Sequence, residues 1–388
     1  MPGSRDNLKI LLGAVISLVP FSAGIAWTWM QLAVGLRRLG HDVIYLEQVD
    51  PSWWVDAAGR ACRPANSLNR QLFTDTMRRF DLYETAWQID GRGEPVAGGR
   101  QRMHRQLAGA DLLINMAGHV RADAVMDRVR RRVYVDQDPV YTQLWHAAYG
   151  KDIGLDRHDM FAGVGLNIGT PATAVPSCGR SWQPVLPAVV ADLWPAGDTP
   201  DGGRFTTIAS WESFSDLTYQ GRWYRGKRAS FTRLAGLPRR VPGQQFELAL
   251  RRQHPDDERR ALRYGWHIAQ AGRVAGDLDT YQDYLAGSRG EIGITKQAYV
   301  TASSGWFSDR ATHYLASGRP VITQATGAEA HLPTGAGLLV FDTCAQAAEA
   351  VEAVSRDYRR HCRTARELAA DIFDYRVVLP PFVEACLA

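Results

Sequence analysis

Ser308, Asp309 and Arg310 stand at the head of a helical pattern, within "SSGWFSDRATHYLASGRPVITQATG" at 303–327. A serine there is a natural N-cap, since its hydroxyl can accept a first-turn backbone N–H. Helix starts also carry free N–H groups and a partial positive charge, so they attract anions. An arginine beside them adds a charged fork that suits phosphate. The residue types therefore point to a phosphate-bearing ligand. The plain alternative is a capped structural helix with Arg310 on the surface. Position favours the ligand. The pattern follows a strand ending near Val300, through the short turn "TASSG". In open α/β sheets, ligands sit at the carboxyl ends of strands.

Cations are unevenly chosen. Four lysines (Lys9, Lys151, Lys227, Lys296) stand against 41 arginines. With the many Ala and Gly, this bias reads as a GC-rich coding background. Arginine is the default cation there, so a lysine is the more informative choice. Lys296 ends an expected strand. Lys227 lies in "YRGKRASF", after the first strand of the second half. Asp136 and Asp138 form a D-x-D in "VDQDP", just past a strand. That spacing allows a metal pair, a general base on an acceptor hydroxyl, or a cap on the next turn. His119 and His158 are rival bases. His158 has Asp159 as neighbour, but adjacent strand side chains point to opposite faces. The five cysteines are odd in number and scattered, without metal or redox spacing, which fits reduced thiols in the cytoplasm.

A chain of 388 residues calls for two domains. Its net charge of +4 suits an anionic ligand without demanding one. The "RVRRR" run reads as a solvated helix end, and no nucleic-acid partner is expected. Residues 10–36 carry no formal charge and are long enough to span a bilayer. Ser17, Pro20, Ser22 and Gly24 interrupt them. They divide into the strand "KILLGAVI", the loop "SLVPFSAG" and the helix "IAWTWMQLAVGLRRLG", followed by the strand "HDVIYLE". This β-loop-α-β unit replaces the membrane reading. Further apolar runs alternate with helical patterns in both halves, as parallel sheets with helices on both faces require. The stretch 184–204, rich in Pro, Gly and Asp, is the expected interdomain linker.

"GWFSDRATHYLASGRPVITQATG" resembles the donor-binding segment of GT-B glycosyltransferases, and "LASGRPV" resembles their A-x-G-x-P-V helix-to-strand turn. The form is similar to an actinomycete secondary-metabolite branch, with "VDQDP", "GLNIG" and "LPTGAGLLVF" extending the likeness. It implies an α/β chain of GT-B architecture: two Rossmann-like doubly wound parallel-sheet domains facing a central cleft. Residues 1–190 would bind the acceptor and 204–370 the nucleotide sugar, with a helix in 371–388 packing back on the first domain. Lys227, Arg273, Lys296, Ser308, Asp309, Arg310, Gln324, Thr326 and Gly327 would meet the donor. Ser22, Gly24 and Trp27 would meet the acceptor, with Trp29, Trp53 and Trp54 as further groove candidates. Asp136 or Asp138 would be catalytic. Two positions depart from the pattern: His313 stands where many relatives carry a ribose-binding Glu, and Ala325 where an acidic residue is expected.

The implied reaction moves a sugar from a UDP- or TDP-linked donor to a hydroxyl of a small molecule. It would run in the cytoplasm, without a metal or other cofactor, in antibiotic or related biosynthesis. Alternatives on the same fold are a nucleotide-sugar 2-epimerase and a non-catalytic sugar-binding protein. A dehydrogenase would want G-x-G-x-x-G after the first strand, where "SLVPFSAG" stands instead.

Overall fold

The computed structural model describes residues 7–18, 22–195, 203–211, 213–251 and 255–388. The first sheet contains β1 (Lys9–Gly13), β2 (Asp42–Gln48), β3 (Ala86–Ile89), β4 (Leu112–Met116), β5 (Arg131–Asp136), β6 (Met160–Gly163) and β7 (Trp182–Pro184). Their order is β3-β2-β1-β4-β5-β6-β7, and every pairing is parallel. β1 and β4 are almost wholly apolar because helices cover both faces of the sheet.

A short antiparallel hairpin follows β8 (Phe205–Ser210). It joins β9 (Leu217–Tyr219) to β10 (Arg222–Tyr224). The second sheet adds β11 (Phe246–Arg251), β12 (His267–Gln270), β13 (Gly290–Gly293), β14 (Val321–Gln324) and β15 (Leu338–Phe341) to β8. Its order is β12-β11-β8-β13-β14-β15, again all parallel. Both sheets thus run outward from their first strand in the 3-2-1-4-5-6 sense. Each has its switch point beside that strand, where the crossovers diverge and leave a crevice.

Two seams join the sheets on either side of the cleft. One is the Ala23–Arg38 helix, which meets the Leu278–Ala286 helix of the second domain. The Ala23 N–H donates to Ala275 O at 3.0 Å, and Trp27 Nε1 donates to Leu278 O at 3.0 Å. The other joins "GLNIG" to the turn before the 309–316 helix. Asn167 donates from its backbone to Ser304 O at 3.1 Å and from Nδ2 to Ser303 O at 2.8 Å. Gly305 has φ +74°, and a Cβ there would lie 2.7 Å from the Asn167 nitrogen, so this seam needs glycine. Two stretches that stand out in the sequence therefore pack on each other.

The segment expected to be a linker does cross between the sheets, but its described first half is not loose. Val189, Val190 and Trp194 are buried. Val189 exchanges backbone hydrogen bonds with Phe373 and Tyr375. The apolar residues among its prolines explain the difference. The Tyr375–Leu387 helix lies against the 23–38 helix at Gly35, where a Cβ would come within 2.8 Å of Tyr375 Cβ. Among the described residues, no helix is long and apolar enough to cross a membrane.

Trp194 ties the seam together. It stacks on His313 with centroids 4.6 Å apart and packs on Trp27 at 4.8 Å, and Nε1 donates to Gln31 Oε1 at 2.8 Å. Trp194→Ala should cost about 3–5 kcal/mol. Chemical denaturation should show a lower midpoint than the wild type.

Candidate functional site

The carboxyl ends of the two sheets face each other across a cleft of about 710 Å³. The Asp309–Ala316 helix points its first turn into this cleft. Ser308 occupies the N-cap position with extended backbone, but its side chain makes no capping bond. Its hydroxyl is left facing the cleft. The Ala311 and Thr312 N–H groups donate to Ser308 O. Those of Asp309 and Arg310 find no acceptor among the described residues. The helix start thus presents two N–H groups and a hydroxyl to the open space.

Arg310 does not reach out as a free fork. It is bound to Glu291 on β13, with Nη2 at 2.6 Å and Nε at 2.7 Å from Oε1. Glu291 is fully buried, and its Oε2 has no hydrogen-bond partner among the described residues. Arg310 still lines the cleft. Its charge is answered by Glu291, so it fixes the helix start on β13 rather than serving as a mobile ligand. The Asp309 carboxylate would repel a phosphate, so its own backbone N–H is the part of it that suits an anion.

Lys296, just past β13, crosses the cleft to bond Asp138 of the first domain. Tyr299 donates to the same Asp138 oxygen at 2.7 Å and lies 2.9 Å from Lys296 Nζ. Phe214 covers the ammonium at 4.1 Å. Lys227 heads the Lys227–Leu234 helix and is half-buried on the same wall. Burial lowers its pKa, and the nearby Arg310 and Lys296 push the same way; Glu291 and Asp138 oppose them. Lys227 and Lys296 thus stand on the same wall as the open helix start, with Lys296 held by Asp138.

Several expected site residues lie elsewhere. Asp136 is sealed below the cleft floor, accepting from Thr142 Oγ1 at 2.6 Å, Gln143 Nε2 at 2.8 Å and the Asp138 N–H at 3.0 Å. Burial raises it to about 6 despite these bonds, and its oxygens are engaged in holding the turn after β5. Gln324 accepts from the Thr295 N–H at 3.0 Å. Thr326 donates to Trp306 O at 2.6 Å, and the Gly327 N–H donates to Glu329 at 2.9 Å. These three are occupied in holding the helix-head turn, outside the cleft wall. Arg273 is exposed and also lies outside it. Trp27 is buried in the seam between Phe80 and Trp194, so it is core rather than acceptor groove. Trp54 is buried too. Ser22, Gly24 and Trp29 do line the cleft.

The histidines separate. His158 is held by Gly154 O and Asn115 in the first domain, and Asp159 pairs with Arg132 on the far side. His119 lines the cleft, stacked on Trp53 at 6.1 Å. Its Nε2 has no partner among the described residues, and burial lowers its pKa to about 3. His313 also lines the cleft, with Nδ1 2.9 Å from Tyr281 OH and its pKa lowered by burial to about 3. Both imidazoles are neutral at physiological pH.

No family model and no curated protein sequence matches the chain. Solved structures do. An α-glucosyltransferase in complex with UDP and a 13-mer DNA has 11% identity and a TM-score of 0.58, with 98% of this chain and all of that one covered. HepE from Anabaena, in complex with UDP and glucose, has 13% identity and a TM-score of 0.57, covering 97% and 99%. Sucrose-phosphate synthase from Thermosynechococcus elongatus has 14% identity and a TM-score of 0.52, covering 97% and 98%. Each aligns over both sheets and the cleft between them. The fold is GT-B.

In a GT-B chain the helix head at the second switch point is where the sequence placed it. Other participants were not legible there. Glu291, Tyr299, Phe214 and Tyr281 come from separate elements, and only the fold gathers them. One signal was available for Glu291: a carboxylate inside the apolar strand "GEIGI" has to meet a cation. Arg310→Ala leaves that carboxylate buried and alone, so it should cost about 3–5 kcal/mol. Replacing both partners with apolar residues, as in Arg310→Met with Glu291→Leu, should recover most of the loss. Equal denaturation midpoints for Arg310→Ala and the wild type would show that the pair is not a structural tie.

Proposed function

We propose that the chain is a glycosyltransferase. It takes a sugar from a nucleoside-diphosphate donor and passes it to a hydroxyl of a small molecule. The observation that carries this reading is the set of unsatisfied donors at one end of the cleft. The Ser308 hydroxyl and the Asp309 and Arg310 N–H groups open there, beside Lys227 and Lys296. Fixed dipoles and ammonium groups aimed at a departing diphosphate stabilise its charge without a metal. The GT-B likeness adds support, since two of the similar structures hold UDP. UDP- and TDP-linked sugars are therefore the donors to try first.

Asp138 has a defined place in this reading. It neutralises Lys296 while no diphosphate is present, and an arriving phosphate competes with it for the ammonium. The cytoplasmic setting rests on five unpaired cysteines. The role in antibiotic or related biosynthesis rests on the resemblance of the sequence alone.

Calorimetric titration with UDP, TDP and GDP tests the reading. One of them should bind. Lys296→Ala should weaken it by roughly 10- to 150-fold, the loss of one charge-assisted bond. Asp138→Asn should tighten it several-fold by releasing Lys296. If no nucleoside diphosphate binds, or Lys296→Ala binds as well as the wild type, the donor site is not here.

A further inference from the structure

The segment between β8 and the 227–234 helix leaves its own domain. It crosses to the first domain, turns through the β9–β10 hairpin and returns. Phe214 packs on Tyr141 and Trp145 of the Tyr141–Ala147 helix, with ring centroids 4.9 and 4.8 Å away. Leu217 and Tyr224 are buried in the same cluster. Just past that helix, Tyr149 OH donates to Thr218 O at 3.0 Å and accepts from the Thr218 N–H at 2.8 Å. On its return the segment meets the Gln297–Thr301 helix, which begins directly after Lys296. The Arg225 N–H donates to Gln297 Oε1 at 2.8 Å, and the Ala298 N–H donates to Arg225 O at 2.9 Å. Residues 213–224 are thus a strap from the second domain, tied down on the first.

Lys296 ends in an aromatic box under this strap. Its ammonium lies 4.1 Å from the centre of the Phe214 ring and 5.2 Å from those of Tyr141 and Tyr299. Asp138 and the Tyr299 hydroxyl form the polar side of the box. An ion pair open to water is worth little. Here Lys296 is only 7% exposed, so the rings both attract the ammonium and keep water from the pair. A diphosphate at the head of the 309–316 helix has to draw the ammonium out of this box.

We infer that Phe214 is a positioning residue: carried on the strap and fixed to the first domain through Tyr149, it holds Lys296 in reserve against Asp138 until a diphosphate takes the ammonium. The identity of that anion rests on the sugar-transfer reading. The attraction of the rings is subtracted from the affinity for donor. Once Lys296 has moved, Phe214 loses its cation, and the strap keeps only its bonds to Tyr149 and its apolar contacts. Occupancy of the donor site is thereby linked to a contact between the two domains.

Two measurements on the full chain test this. First, the ligand-free protein is labelled briefly with acetic anhydride, and each lysine is read by peptide mass spectrometry. With four lysines in the chain, Lys296 is resolved from Lys9, which stands at the opposite end of β1 from the cleft. Phe214 is replaced by mono-, di- and trifluorinated phenylalanine, which keep the ring and drain negative charge from its face. Lys296 should label faster with each added fluorine, by about two- to thirtyfold over the series, while Lys9 stays constant. A role in packing alone would not follow the number of fluorines, so equal labelling of Lys296 across the series overturns the inference. Second, UDP, TDP and GDP are titrated into the same proteins. Whichever binds the wild type should bind more tightly with each fluorine, by about the same factor. Tyr149→Phe should also tighten binding, and in a Phe214→Leu background it should add nothing, because the strap acts through the Phe214 ring. Weaker binding with added fluorine would make Phe214 a support of the bound state and overturn its role in holding the lysine back. If none of the three nucleotides binds the wild type, the sugar-transfer reading fails, and the labelling series by itself decides whether the strap holds the ammonium.

Discussion

A buried carboxylate at the switch point of the second sheet governs this site. Glu291 sits in a strand with no exposure to water, and Arg310 is the cation that answers it. An isolated buried charge is far more costly than a paired one, so the helix start cannot drift from the strand without stranding Glu291. The pair sets the direction of the first helical turn. It also consumes the arginine, which leaves the polar work in the cleft to backbone N–H groups, to Ser308 and to the two lysines.

From that fixed point the cleft divides into chemically distinct regions. Cations and N–H donors crowd the side belonging to the second domain. Apolar side chains of the first domain, among them Val15, Ile16 and Trp29, line the opposite side. The seams at Asn167 and at the 23–38 helix hold the two sheets together on both flanks.

Much of the architecture was legible because parallel strands buried on both faces read as short apolar runs, and because Ser-Asp-Arg followed by Gly-Arg-Pro brackets a helix at both ends. The finer placements were not legible where neighbours in sequence part company in space. Trp27 and Trp29 are about 200° apart on one helix, so one faces the seam and the other the cleft. Asp136 and Asp138 lie on one side of a turn in which Val140 has φ +78°, and the first is folded under while the second reaches out. Gln324, Thr326 and Gly327 look like a ligand-binding loop, yet local partners such as Thr295, Trp306 and Glu329 occupy them. The full lining of the cleft was illegible for another reason. Its walls come from both domains, and no local pattern encodes a space that distant segments enclose.

The 375–387 helix covers the 23–38 helix at Gly35. On a ribosome, the strands of the first sheet emerge long before the segment that covers them. The first domain therefore cannot complete its own surface during synthesis, and the apolar face around Gly35 and Leu36 stays open until the second domain has been made. Contacts between segments this far apart in sequence are of the kind that forms slowly in folding.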